Sequence, residues 1–109
     1  MGRIGPRCGV RIQFATRRLE RCYRELALAR REWGERVARA YVQRIDTLYA
    51  AQDVRDLFAL RALDLHPLKG ERKGHYAMRL GDRERLIVTF AGAGLKVVRI
   101  EEVSPHYGD

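Results

Sequence analysis

The chain has 109 residues, 46% of them hydrophobic and 33% charged, with a formal net charge of +8. That length holds one hydrophobic core and not two, the balance excludes a disordered chain, and no apolar run approaches the ~20 residues of a membrane span. The cationic surplus points to an anionic partner, RNA, DNA or an acidic protein, with an acidic membrane leaflet the weakest of these readings.

The surplus is uneven. Residues 1–50 carry 12 arginines against 5 acids, a net +7, whereas residues 51–109 carry 10 Lys+Arg against 9 acids, a net +1. The N-terminal half therefore supplies the long-range field. The opening MGRIGPRCGVRIQF has no apolar core long enough for a secretory signal, and residues 1–9 read as a flexible extension of a single domain spanning 1–109. Cys8 and Cys22 are too few for a disulfide framework or an all-cysteine zinc site. The expectation is a reduced, buried Cys22 in a cytoplasmic protein.

Taken in chain order, Val10–Ala15 alternates apolar and polar and predicts an edge strand, with Val10, Ile12 and Phe14 on one face. Thr16 offers an N-cap oxygen. Leu19, Cys22, Tyr23, Leu26 and Trp33 fall at helical spacing and predict a helix from Arg17 to Trp33, which Gly34 ends. A second helix follows from Glu35 to Ala51, with Val37, Tyr41, Ile45 and Leu48 on its buried stripe. Nine arginines (Arg17, Arg18, Arg21, Arg24, Arg30, Arg31, Arg36, Arg39, Arg44) occupy the other faces, an excess that asks for a partner.

Asp53–Leu60 predicts one more short helical turn, and Leu63–Leu68, running into Pro67 and Gly70, an irregular loop. His75–Leu80 reads as a strand, Gly81-Asp82 as a two-residue hairpin turn and Glu84–Phe90 as its partner. The AGAG of Ala91–Gly94 then turns into a last strand, Leu95–Val103. The fold class is α+β: two helices on one face of a small antiparallel sheet, in the order β-α-α-β-β-β.

The segment His66–Phe90, HPLKGERKGHYAMRLGDRERLIVTF, carries the functional signal. Eight basic or titratable side chains (His66, Lys69, Arg72, Lys73, His75, Arg79, Arg83, Arg85) stand on a loop and hairpin. The wall behind them is apolar: Tyr76, Met78, Leu80, Leu86, Val88 and Phe90. Cations on a rigid sheet suit a polyanion, most simply a nucleic-acid backbone. Glu71, Asp82 and Glu84 are too few to neutralise them. No Gly-rich phosphate loop is present, since Gly92 and Gly94 fit a hairpin. Asp64, His66, Glu71 and His75 lack a recognised ligand spacing, so neither a metal nor another cofactor is expected.

FATRRLE near the start, then LHPLKGERKGHYAMRLGDRERLIVTF, then VVRIEEVSPHY, together resemble the HigB branch of RelE/ParE-type toxins, the toxin halves of bacterial toxin–antitoxin pairs. The likeness runs over Val10–Tyr107. Its most specific part is L-K-G-x-x-K-G, an aromatic strand, and an Arg opening an L-I-V-x-F strand. The resemblance implies a RelE/ParE-like fold and a ribosome-dependent endonuclease that cuts messenger RNA in the A site. It also implies a neighbouring antitoxin, HigA-like with a helix-turn-helix, and no membrane partner. Lys69 and Arg85 correspond to the cations at the scissile phosphate, and Arg79 to a position that is basic in RelE-type members. The family's last strand ends Asp-Tyr-His, whereas this chain reads Ser104-Pro105-His106-Tyr107: both side chains are present in reversed order, and the acid is missing.

The chemistry needs no metal. The 2′-hydroxyl of RNA attacks the adjacent phosphorus, and the protein aligns it, moves two protons and neutralises the growing charge. Lys69 and Arg85 suit the charge. His106, with an ordinary pKa of about 6.5, suits the protons, with Tyr107 beside it. Tyr76 can stack on a base, and Arg72, Lys73, His75 and Arg79 can hold RNA. Two rival readings use the same residues: a ParE-like inhibitor of DNA gyrase with no chemistry of its own, and a basic interaction module whose activity has decayed.

Overall fold

In the computed structural model, which describes residues 9–105, the chain runs β1 (Arg11–Phe14), α1 (Arg17–Arg24), α2 (Leu26–Trp33), α3 (Glu35–Ala50), α4 (Val54–Ala59), β2 (His66–Pro67), β3 (Tyr76–Arg79), β4 (Arg85–Ala91) and β5 (Val97–Ser104). The five strands form one sheet in the order β1-β5-β4-β3-β2. The expected α+β class holds, and β2 to β5 pair antiparallel. One pair departs from the antiparallel expectation. β1 lies parallel to β5, Arg11 opposite Val97 through Phe14 opposite Ile100, so the sheet is mixed. The helices between first and last strand supply the long connection that parallel pairing needs.

The helix expected over Arg17–Trp33 is two helices. Glu25, at φ −123° and ψ 96°, interrupts it. Glu, Leu and Ala all favour helix, so the break is a tertiary choice that local propensity does not signal. The Thr16 side chain caps α1, accepting from the Leu19 amide at 3.1 Å. The stripe Val37, Tyr41, Ile45 and Leu48 on α3 is buried as expected. Tyr41 donates its hydroxyl to the Leu19 carbonyl at 2.7 Å, which satisfies a polar group that burial would otherwise penalise. Its ring sits 4.7 Å from that of Trp33. Cys22 is buried beside Leu19, and burial pushes its thiol up.

The segment expected to be irregular holds structure. A turn over Arg61–Leu63 leads into β2, where His66 pairs with Ala77 and Pro67 with Tyr76. Pro67 is tolerated there because β2 is the sheet's edge. The hairpin turn is wider than two residues: the amides of Leu80 (3.0 Å) and Gly81 (3.3 Å) both reach the Glu84 carbonyl. Arg85 fills this wider turn with its own side chain, as described below.

Met78, Leu86, Val88, Val98 and Ile100 form the helix-facing side of the sheet and are fully buried. Those positions alternate, so Ala77, Arg79, Arg85, Ile87, Thr89 and Arg99 point to the opposite face. That face has a small cluster of its own, in which Leu68 lies buried on Ala77 and Ile87.

Candidate functional site

The site is built on three rungs of the helix-free face. Arg79 is the cross-strand partner of Arg85, and Ala77 of Ile87. On β5 the ladder contains a bulge: Ile87 faces Glu102 and Val88 faces Ile100, leaving Glu101 as the extra residue. The bulge shifts the alternation by one. Glu102 therefore continues the Ala77–Ile87 rung and Ser104 the Arg79–Arg85 rung, while Val103 packs against the core. Glu101 is tied to the third rung, accepting from Thr89 Oγ1 at 2.7 Å and pairing with Arg99 at 3.2 Å.

Residues 68–75 cross this face. Leu68 anchors the loop through its buried side chain, and its amide donates to the His75 carbonyl at 2.9 Å. A short turn over Gly70–Arg72 follows, closed by the His75 amide on the Arg72 carbonyl at 2.9 Å. Lys69 and Lys73 emerge exposed on either side of it. Gly70 and Gly74 adopt φ of +65° and +96°, a region that only glycine enters without cost. The LKG and KG pairs thus serve the loop's path as well as its charge. Arg72 reaches across to Glu102, Nη2 to Oε2 at 2.6 Å. Among the described residues, no carboxylate lies within 4 Å of a charged nitrogen of Lys69, Lys73, Arg79 or Arg85.

Arg85 is half-buried and held. Its Nη1 donates to the carbonyls of Gly81 (3.1 Å) and Glu84 (2.9 Å), bracing the β3–β4 turn. Its Nε is buried with no hydrogen-bond partner among the described residues. The carboxylates of Asp82, Glu84 and Glu101 do not pair with it. Arg79 is exposed at its side chain, and its carbonyl accepts from Arg44 Nε at 2.8 Å, which ties the end of β3 to α3. Partial burial lowers the Arg44 pKa.

Tyr76 does not join the cations. Tyr76 lies on the helix side, its ring 4.7 Å from Phe90 and 5.9 Å from Phe58. It is three residues from Arg79, an odd spacing that puts the two on opposite faces, so a base stacking on the cationic face does not use it. His75 is half-buried at the loop's end, its Nδ1 buried without a hydrogen-bond partner among the described residues. His66 Nδ1 lies 2.8 Å from the Asp64 carbonyl oxygen. His106 and Tyr107 lie outside the described residues.

The arginine-rich helices pair about half of their arginines with glutamates. Of the nine helical arginines, Arg18, Arg21, Arg24, Arg30 and Arg39 each pair with a glutamate. Such exposed pairs add little stability, and they leave Arg17, Arg31, Arg36 and Arg44 with no carboxylate partner among the described residues. Four more cations without a paired carboxylate, Lys69, Lys73, Arg79 and Arg85, lie on the sheet and its loop.

Sequence reasoning missed Glu102, Leu68 and Arg44. Glu102 had a signal: apolar Val98 and Ile100 are two apart, but the next apolar residue, Val103, is three further on. That step marks a bulge and turns Glu102 toward the cations. Among the described residues no three His, Cys, Asp or Glu side chains are grouped to hold a metal. Nor is any helix among them long and apolar enough to cross a membrane. The face can hold a phosphate backbone through Lys69, Lys73 and Arg79, with Arg85 and Arg72 beside them.

No protein-family model matches this chain, and no curated protein matches it in sequence. Solved structures do match in fold. A YoeB/ParE toxin from Agrobacterium tumefaciens superposes with a TM-score of 0.55 at 18% identity, over 89% of this chain and 99% of that one. A YafQ mutant from E. coli gives 0.54 at 18%, over 86% and 90%. The YoeB–YefM complex from Staphylococcus aureus gives 0.52 at 19%, over 90% and 98%. The chain has the fold of these toxins.

Proposed function

We propose that this chain is the toxin of a toxin–antitoxin pair, of the HigB branch of the RelE/ParE superfamily, and that it cuts messenger RNA in the ribosomal A site. One observation carries the reading: Arg79 and Arg85 stand opposite each other on the helix-free face, on which the loop bearing Lys69 and Lys73 packs, with no described carboxylate paired to any of the four. Like charges on one rung oppose folding, so the arrangement favours function over stability. A phosphate bound there relieves the repulsion. The fold shared with YoeB/ParE and YafQ toxins supports a toxin, and the YoeB–YefM complex supports a protein antitoxin. A HigA-like helix-turn-helix partner is the finer form of that reading.

In this mechanism the 2′-oxygen forms a bond to phosphorus while the bond from phosphorus to the 5′-oxygen breaks. One proton leaves the 2′-hydroxyl and one reaches the 5′-oxygen. Lys69 and Arg85 neutralise the charge that grows on the phosphoryl oxygens, and Arg79, Lys73 and Arg72 hold flanking phosphates. His106 and Tyr107 move the protons; in sequence they follow Ser104, the Arg85 partner, by two and three residues. No step requires a metal.

The test is a short induction in bacteria followed by mapping of transcript 5′ ends. Cuts confined to translated frames, and absent in Lys69→Ala, are expected. Arrested growth with intact transcripts and broken DNA would instead support a ParE-like gyrase inhibitor. Tolerance of high expression without an antitoxin would support a decayed interaction module.

A further inference from the structure

The geometry points to Glu102 as a built-in competitor of the RNA phosphate: its carboxylate holds Arg72 on the cationic face, and a substrate phosphate displaces it to engage that arginine. The inference rests on the reading of this face as a phosphate site.

Three observations converge on it. The β-bulge at Glu101 is what turns Glu102 outward; without the extra residue, the alternation from Val98 and Ile100 would carry Glu102 to the core side. On the helix-free face Glu102 occupies the rung next to Arg79–Arg85–Ser104, so it is the carboxylate nearest in register to both arginines. It then takes Nη2 of Arg72 at 2.6 Å, as a phosphate oxygen would. Its neighbour Glu101 is engaged in the sheet itself, with Thr89 and Arg99.

The pair is suited to opening. Arg72 and Glu102 are 43% and 48% exposed at their side chains, and water screens an ion pair at that exposure to a small net attraction. Leu68 on Ala77 and Ile87, with the backbone bonds between Leu68, Arg72 and His75, holds the loop without the ion pair. Breaking the pair therefore frees Arg72 and leaves the loop in place. A chain of several phosphates meets Lys69, Lys73 and Arg79 as well and outcompetes one carboxylate. A single small anion does not. Glu102 thereby biases the face toward extended polyanions.

The probe is a short fluorescent 2′-O-methyl oligoribonucleotide, which cannot be cut by its own 2′-oxygen, so binding is read apart from cleavage. At physiological ionic strength Glu102→Gln is expected to bind it about three- to fivefold more tightly than the wild type, the size of one exposed ion pair. Glu101→Gln, with the same change in net charge, is expected to give a clearly smaller gain. In an Arg72→Ala background, Glu102→Gln is expected to lose most of its effect. Unchanged or weaker binding by Glu102→Gln, an equal gain from Glu101→Gln, or a full gain without Arg72 would each overturn the proposal. If the wild type binds, Lys69→Ala and Arg79→Gln weaken it and Glu102→Gln does not tighten it, only the competitor falls. If no variant binds, the phosphate-face reading falls with it.

Discussion

Arg79 and Arg85 face each other across the β3–β4 pairing, two cations on one rung of the sheet with no described carboxylate between them. Directly opposed like charges destabilise a strand pair by about 0.2–1 kcal/mol. Arg79→Gln is therefore expected to raise the unfolding free energy by about that amount while reducing transcript cleavage. The gain shrinks as salt is added, because screening already relieves the wild-type repulsion. Urea midpoints at low and high salt measure the first effect, and growth after induction the second. A less stable Arg79→Gln protein would remove the argument that this rung is kept for binding.

Lys69 and Arg85 share a proposed role but not a structural one. Lys69 is exposed and unpaired with any described carboxylate, so Lys69→Ala is expected to change stability by less than about 0.5 kcal/mol. Arg85 braces the turn through two carbonyls, and charged hydrogen bonds of this kind carry about 1–3 kcal/mol. Arg85→Ala is expected to lose a comparable amount. Arg85→Lys recovers little of it, since an ammonium lacks the planar fork. Both alanine variants lose cleavage. Equal urea midpoints for the two would show that the Arg85 bonds do no structural work.

Much of this was legible in the sequence because burial enforces period. The α3 stripe of Val37, Tyr41, Ile45 and Leu48 and the alternating wall of Met78, Leu86 and Val88 are where they were read. The cations on the other face followed from the same alternation, which also excludes Tyr76 from them. Long-range pairing was not legible: nothing in Arg11–Phe14 says that it runs parallel to β5, or that Glu25 breaks a run of good helix formers. The Arg72–Glu102 pair spans thirty residues, and only the step from Ile100 to Val103 hinted at it. The bracing of its own turn by Arg85 was not legible, because a side chain that folds back on its own turn leaves no mark on periodicity.

Leu68 couples packing to function. It is buried with Ala77 and Ile87 in a cluster separate from the main core, and Lys69 follows it directly. Leu→Ala at a buried site costs about 2–5 kcal/mol, with small clusters that can relax at the low end. Leu68→Ala is expected to cost about 2 kcal/mol by urea unfolding. Because the loop is then unpinned, 2′-O-methyl RNA binding is expected to fall at concentrations where the protein is still folded by circular dichroism. Unaltered RNA binding by a folded Leu68→Ala protein would show that Lys69 needs no anchored loop.

Tyr23 links α1 to the elements that carry the sheet. Its hydroxyl donates to Asp46 on α3, and its ring lies 6.1 Å from Phe14 on β1 and 5.9 Å from Tyr49. The hydrogen bond to Asp46, with desolvation and the charge of Asp46 behind it, pushes the phenol from an ordinary 10 up to about 12. A folded-state pKa raised above the unfolded value stabilises the protonated form. The contribution is therefore complete below pH 10 and is lost as pH rises from 10 through about 12. Ionisation there sets a phenolate against a carboxylate. Wild-type stability is expected to fall over that interval more steeply than that of Tyr23→Phe, which has no proton to lose and no bond to Asp46. Below pH 10 the order reverses, with Tyr23→Phe the weaker protein. Urea midpoints for both proteins across the interval make the comparison. Parallel curves would mean that Tyr23 ionises no differently folded than unfolded, and that the bond to Asp46 contributes nothing to the joint between α1 and α3.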